Sequence, residues 1–182
     1  MLTEKETTNL SKFLSLVLRH KPEAIGITLD EQGWVPVDEL LSKLNTDGRA
    51  VTFPVLQYIV DTNAKKRFAF DDDKLKIRAS QGHSVEVELG YEPQTPPDVL
   101  YHGTGAKSVE SIMITGLEKR GRQHVHLSSN IDTAINVGGR HGKPVVLAVA
   151  ALKMHQQGYQ FYLSENKVWL TDAVPVQFIS IK

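Results

Sequence analysis

The chain contains no cysteine in its 182 residues. That excludes disulfides, thiolate-bound zinc and thiol nucleophiles, and it fits a reducing, cytoplasmic setting. No apolar run reaches membrane-spanning length. The opening stretch Met1-Leu2-Thr3-Glu4-Lys5-Glu6 is polar and acidic and lacks the basic and apolar regions of a secretory signal. Net charge is zero at pH 7, which argues against a bulk polyanion binder. Residues 1–97 carry a net −3 and residues 98–182 a net +3, so nucleic-acid contact has to come from local clusters with short footprints. Repeats and low-complexity segments are also missing.

What is present is enough apolar material for a core: 41% hydrophobic residues against 23% charged, a globular balance. Pro93, Pro96 and Pro97 crowd residues 93–97 and suppress regular pairing there. This predicts a Pro-rich connector between a lobe at 1–92 and a lobe at 98–182, in an α+β chain.

In the first lobe, Leu10, Phe13, Leu14, Val17 and Leu18 follow the spacing of one buried helix face. Lys21-Pro22 stops that helix and leaves Arg19-His20 at its C-terminal end. Helices are also predicted over 38–44 and 52–60, the latter with Thr52 as N-cap. Arg67-Phe68-Ala69-Phe70 and Lys74-Leu75-Lys76-Ile77-Arg78 alternate around an Asp-rich turn, which predicts a β-hairpin. Phe68, Phe70, Leu75 and Ile77 are expected inside, with Arg67, Lys76 and Arg78 on the other, basic face. Three helices with a basic hairpin describe a winged helix.

The second lobe alternates strands with short helices. A strand at 99–101 is expected to enter a His102-Gly103-Thr104 turn. Helix 108–115 ends at Gly116, and a strand spans 124–127. Helix 131–137 is stopped by Gly138-Gly139. Strands follow at 145–150, 168–171 and 176–181.

Several groups carry chemistry. Arg forks grip two phosphate oxygens at once, and Arg19, Arg78 and Arg140 are the candidates. Arg19-His20 and Arg140-His141 also read as ordinary cationic helix ends. Gln81-Gly82-His83-Ser84 sets an amide, an imidazole and a hydroxyl around a glycine that lets the backbone approach a phosphate or base; it also reads as a plain loop. His124 and His126 point the same way from one strand, but two imidazoles without further ligands make a poor metal site, and no metal is expected. Trp169 and Phe178 read as core, and His155 as a surface residue.

Taken in order, six segments resemble one family. They are Ser11 to His20, Ile77 to Ser84, Tyr101-His102-Gly103-Thr104, His124 to Ser128, Val137 to Gly142 and Asn166 to Asp172. The chain resembles the NAD-dependent RNA 2′-phosphotransferases, the KptA/Tpt1 family, over nearly its whole length. The resemblance implies an N-terminal winged-helix RNA lobe, a C-terminal ADP-ribosyltransferase-like α/β lobe, and reaction in the cleft between. It implies NAD as co-substrate and RNA bearing an internal 2′-phosphate, of the tRNA splice-junction type, as partner. The RNA phosphate attacks C1″ of the nicotinamide riboside and nicotinamide leaves. The ribose 2″-OH then attacks the phosphorus of the RNA-2′-phospho-ADP-ribose, releasing RNA and ADP-ribose 1″,2″-cyclic phosphate.

By the same resemblance Arg19, His20, Arg78 and Arg140 are the catalytic set. Tyr101, His102, Gly103, Thr104, Gly116, His126 and Ser128 hold NAD. Arg67, Lys76, Gln81, His83 and Ser84 contact RNA. His126 replaces a Tyr that often stacks on nicotinamide in the wider superfamily. The late-strand Glu of many ADP-ribosyltransferases has no aligned counterpart beside Asn166-Lys167-Val168-Trp169. An acceptor that is already ionised needs no such base. A monomer without membrane contact is expected. The alternative is an ADP-ribosyltransferase that stops after the first step, on a terminal nucleic-acid phosphate or a protein.

Overall fold

A computed structural model describes residues 3–182. Met1 and Leu2, part of the stretch compared above with a secretory signal, lie outside the described residues. The chain is α+β and divides into two compact units, Met1–Gly90 and Tyr91–Lys182.

The first unit begins with α1, Glu4–Arg19. Thr3 and Glu6 form a reciprocal capping box at its start, which satisfies two donors that the first turn leaves open. Leu10, Leu14, Val17 and Leu18 are buried as the spacing predicts. Phe13 stays half-buried, with the Arg49 guanidinium 3.5 Å from its ring centroid. Next come β1 (Val35–Pro36), α2 (Val37–Thr46) and α3 (Phe53–Thr62). Thr52 takes the N-cap position of α3, but its side chain makes no capping hydrogen bond. Pro54 sits in the first turn, where a missing N–H costs nothing.

The hairpin forms from β2 (Phe68–Phe70) and β3 (Lys76–Ala79), antiparallel with Ala69 opposite Arg78. β1 adds to its other side, giving the order β1-β3-β2. Phe68 and Ile77 enter the core, and Phe70 packs on Phe53 at 5.8 Å. Two expectations fail. Leu75 is 68% exposed, because it lies in the turn ahead of β3 and its carbonyl accepts from Val37 N–H. Arg78 is buried, not part of an open basic face. Loop 30–34 and the irregular segment 81–90 cover that face, burying His83, Val87 and Leu89. Glu88 N–H donates to the Glu31 carbonyl and ties the two together.

The second unit holds β4 (Leu100–Gly105), α4 (Ala106–Thr115), β5 (Leu117–Glu118), β6 (Val125–Leu127) and α5 (Ile131–Gly138). A 3-10 turn, Gly139–His141, continues directly from α5. Then follow β7 (Pro144–Val149), α6 (Ala151–Gln156), β8 (Tyr162–Leu163), β9 (Trp169–Thr171), β10 (Ala173–Val174) and β11 (Ile179–Ile181). The sheets run β11-β7-β4 and β6-β9-β8, with β5 paired to β10. Tyr101 and Ser128 exchange backbone hydrogen bonds of 2.7 and 2.8 Å, which joins β4 to the end of β6. Residues 176–178 form a 3-10 turn, so the last strand is shorter than expected. Trp169 and Phe178 are core residues, as read. His155 is half-buried rather than on the surface, its Nε2 3.5 Å from Thr95 Oγ. Within the Pro-rich stretch, Pro93 bridges to Tyr162 and Gln94 N–H donates to the Phe161 carbonyl.

The His102-Gly103-Thr104 turn is not a turn. All three residues lie within β4, paired to β7 with His102 opposite Leu147 and Gly103 opposite Val146. Gly103 is there because α5 lies directly on the strand. A Cβ on Gly103 would stand 1.7 Å from the Ala134 carbonyl oxygen, and one on Gly138 would stand 2.8 Å from that of Thr104. The two glycines let helix and strand backbones touch. That contact carries Arg140-His141 to the end of β4, where a Cβ on Gly105 would stand 2.4 Å from the His141 carbonyl.

Candidate functional sites on the two units

In the first unit the predicted residues gather at the C-terminal end of α1. The last four carbonyls of a helix have no partner within it. Here the Arg19 carbonyl accepts from Ser84 N–H at 2.9 Å and Val85 N–H at 3.3 Å. His20, the C-cap, leaves helical geometry at φ −127° and ψ −43°. Its Nδ1 is 2.9 Å from Ser84 Oγ. Arg78 stacks its guanidinium 4.4 Å from the Trp34 ring centroid. Its Nη1 donates to the Leu89 carbonyl at 3.0 Å and the Gln32 carbonyl at 3.4 Å. A stacked, doubly anchored fork is held in one direction.

His83 lies among these cations and is 1% exposed. Neither ring nitrogen has a hydrogen-bond partner among the described residues. Burial comes first, then the charges of Arg19, Arg78 and His20, in pulling its pKa from 6.5 down to about 4. It is therefore neutral at pH 7. A residue this deep is no surface contact for RNA, so the expectation for His83 is corrected: it is an interior neighbour of the Arg-His set. Ser84, expected on RNA, is exposed, with its Oγ beside His20 Nδ1. Of the remaining residues, Lys76 is exposed and pairs with Asp30 at 3.6 Å. Arg67 and Gln81 are half-buried, Arg67 next to the Ser80 N–H that its carbonyl accepts.

In the second unit, hydrogen bonds fix the proton on two imidazoles. His102 Nδ1 lies 3.1 Å from the His126 carbonyl, which can only accept. Neutral His102 therefore carries its proton on Nδ1 and an acceptor lone pair on Nε2. Burial is the first cause of its lowered pKa; the bond to His126 opposes it, and Arg122, His141 and Arg120 add to it. Arg122 Nη1 is 3.2 Å from His126 Nδ1. A guanidinium only donates, so His126 accepts at Nδ1 and holds its proton on Nε2. His124 packs on the Tyr162 ring at 5.8 Å, and burial lowers its pKa too.

Tyr101 and Ser128 are half-buried and Thr104 is buried. Arg140 is exposed on the 3-10 turn. Gly116 ends α4 at φ +83°, where a Cβ would stand 2.3 Å from the Val174 carbonyl; its demonstrated task is to let the chain turn there.

Sequence reasoning missed Trp34 and Arg122. Trp34 had a signal only in hindsight, because β1 is too short to announce its pairing with β3. Arg122 stands four residues before His126, a spacing that means nothing until the approach to β6 is seen.

A sequence profile described as "RNA 2'-phosphotransferase, Tpt1 / KptA family" matches residues 5–173. Curated relatives cover nearly the full chain. A protein of Flavobacterium johnsoniae is 52% identical over 181 residues, all of both chains. One of Nostoc punctiforme is 53% identical over 178 residues, 98% of each chain. One of Fusobacterium nucleatum is 53% identical over 171 residues, 93% of this chain and 96% of its own. Each of the three is named "Probable RNA 2'-phosphotransferase".

Proposed function

Because this chain belongs to the RNA 2′-phosphotransferase, Tpt1/KptA family, we propose that it removes an internal 2′-phosphate from RNA by transferring it to NAD. The observation that carries the reading is the convergence of Arg19, His20 and Arg78 around His83. An anchored Arg78 guanidinium, a second guanidinium on Arg19 and an imidazole at one helix end suit a phosphate dianion. The three helices and the β1-β3-β2 sheet support a winged-helix reading of the first unit. The second unit is read as the ADP-ribosyltransferase-like lobe.

The donor set of the second unit fits NAD. His102 presents an acceptor at Nε2, which suits a ribose hydroxyl. Arg122 is a cation for the pyrophosphate, beside His126. Tyr101, Gly103, Thr104, Gly116 and Ser128 complete the proposed NAD contacts, and Arg67, Lys76 and Gln81 the proposed RNA contacts.

In the first step an oxygen of the RNA 2′-phosphate forms a bond to C1″, and the glycosidic bond to nicotinamide breaks. Nicotinamide leaves neutral with the bonding pair. The protein's main contribution is to aim the dianion. In the second step the ribose 2″-oxygen bonds to phosphorus and the bond from phosphorus to the RNA 2′-oxygen breaks. One proton leaves the 2″-OH and one reaches the RNA 2′-oxygen. Arg19, Arg78 and Arg140 offset the charge that builds on phosphorus-bound oxygens. His20 is the imidazole placed beside this set and is read as the group that moves a proton.

The test is incubation with NAD and a short RNA bearing one internal 2′-phosphate, followed by mass spectrometry of the RNA. The reading requires conversion to 2′-OH RNA with release of nicotinamide. Accumulation of RNA-2′-phospho-ADP-ribose that is never resolved would favour a transferase that stops after the first step.

A further inference from the structure

We propose that loop 30–34 is the positioning device of the Arg78 fork: Trp34 sets the tilt of the guanidinium plane, and Asp30 holds Trp34 to that task. The inference rests on the reading that Arg78 acts on the RNA phosphate. Trp34 meets Arg78 by register. β1 pairs with β3 through Val35 opposite Ile77 and Pro36 opposite Lys76. Carried one residue further, that register sets Trp34 directly across from Arg78, and cross-strand neighbours share a face. The guanidinium carbon accordingly lies 4.4 Å from the Trp34 ring centroid.

The loop touches the fork twice. Besides the ring, the Gln32 carbonyl accepts from Arg78 Nη1 at 3.4 Å, and the Leu89 carbonyl accepts from the same nitrogen at 3.0 Å. Hydrogen bonds to a guanidinium act in its plane, whereas an aromatic face acts across that plane. The ring therefore restrains the tilt, which the carbonyls restrain least.

Asp30 closes the loop on itself. Its Oδ1 accepts from Gln32 N–H at 3.0 Å and from Trp34 N–H at 2.9 Å. Its own N–H donates to the Trp34 carbonyl, and its carbonyl accepts from Gly33 N–H, both at 2.9 Å. These bonds fix Gln32 and Trp34, the two residues of the loop that reach Arg78. Oδ2 lies 3.6 Å from Lys76 Nζ, on the strand that carries Arg78. Asp30 is exposed, so its loss opens no cavity. A fork that tilts still supplies charge, but its N–H groups no longer line up with two phosphate oxygens. The second step, in which charge builds on those oxygens, depends most on that alignment.

The experiment compares Trp34→Leu, Trp34→Phe, Asp30→Ala, Asp30→Asn and Arg78→Ala in the full chain, with NAD and 2′-phosphorylated RNA. Turnover and RNA-2′-phospho-ADP-ribose are followed together, and the Arg78 Nε–H resonance is recorded without substrate. Trp34→Leu is expected to lower kcat about tenfold, the scale of one partly desolvated cation–ring contact, and to let the RNA-linked intermediate build up. The KM for RNA is expected to stay unchanged. Trp34→Phe, which keeps a ring, is expected to recover most of the loss. Asp30→Ala leaves the indole in the chain and is expected to lower kcat about threefold, with the Arg78 resonance moved from its wild-type position as the ring shifts. Asp30→Asn, which keeps the Oδ1 acceptor and drops the charge, is expected to match the wild type. An Arg78 resonance unmoved in Asp30→Ala overturns the proposal, and so do equal losses in the two Asp30 variants. A raised KM for RNA with kcat intact in Trp34→Leu overturns it too, because Trp34 would then be an RNA contact. Should Trp34→Leu fail to fold, the Asp30 pair carries the test alone. Near-normal turnover in Arg78→Ala would strike the reading of Arg78 instead, and the resonance would still decide whether the loop orients the fork.

Discussion

His83 makes the stability of the first unit depend on pH in a calculable way. In the unfolded chain its imidazole titrates at the ordinary 6.5, and in the folded unit at about 4. The unfolded state therefore takes up the proton first as pH falls. Stability from this group is complete above 6.5, declines between 6.5 and 4, and is level below that. Between pH 7.5 and pH 5 the loss comes to about 2 kcal/mol, and it approaches about 3 kcal/mol at pH 4 and below. The perturbation is His83→Leu, which keeps the volume and removes two buried nitrogens that have no hydrogen-bond partner among the described residues. At pH 7.5 it should cost no more than about 1 kcal/mol, since no bond from the ring is lost. The assay is urea unfolding at several pH values in a Trp169→Phe background, so that Trp34 fluorescence reports on the first unit. The wild type should lose about 2 kcal/mol more than His83→Leu between pH 7.5 and pH 5. Equal losses in the two proteins would refute the reasoning. So would a His83 proton resonance titrating near 6.5 in the folded wild type, whether or not the variant folds.

Three further outcomes follow from the geometry. Arg140→Ala should abolish turnover while leaving the melting temperature nearly unchanged, because the side chain is exposed; activity near wild type would remove Arg140 from the phosphate-holding set. Gly103→Ala should destabilise the second unit by about 3 kcal/mol or more, since its Cβ would meet the Ala134 carbonyl; a loss under about 1 kcal/mol in thermal melts would mean that α5 lies further from β4. Acidification should weaken NAD binding in calorimetry once His102 becomes protonated and Nε2 stops accepting. Burial delays that to below the usual histidine value, so affinity that falls already above pH 6.5, or rises with acid, would contradict the assigned tautomer.

Much of the first unit was legible because its helices obey strong local rules. The apolar spacing of α1, its stop ahead of Lys21-Pro22 and the antiparallel pairing of the hairpin each follow from short-range physics, and the structure keeps them, although the expected faces of Leu75 and Arg78 are not kept. The fate of Arg78 was not legible. It depends on segment 81–90, which has no periodic pattern and yet covers β3 and buries Val87 and Leu89. A cation on an alternating strand looks solvated until a distant loop is laid over it. The same limit hid the burial of His83 beside Arg19 and His20 and the contact of Ser84 with His20, 64 residues away in sequence. In the second unit, His102-Gly103-Thr104 was marked correctly as special but given the wrong conformation. Glycine there signals close approach of a helix, and its usual association with turns misled the reading.

The central claim is that the RNA 2′-phosphate leaves as part of a nucleotide product. Its most direct test follows the phosphorus itself, using RNA radiolabelled at a single internal 2′-phosphate and incubated with the protein and NAD. The account predicts that the label moves into ADP-ribose 1″,2″-cyclic phosphate, with nicotinamide released in equal amount and no label in inorganic phosphate. Label appearing as inorganic phosphate, or removed at the same rate without NAD, would contradict it.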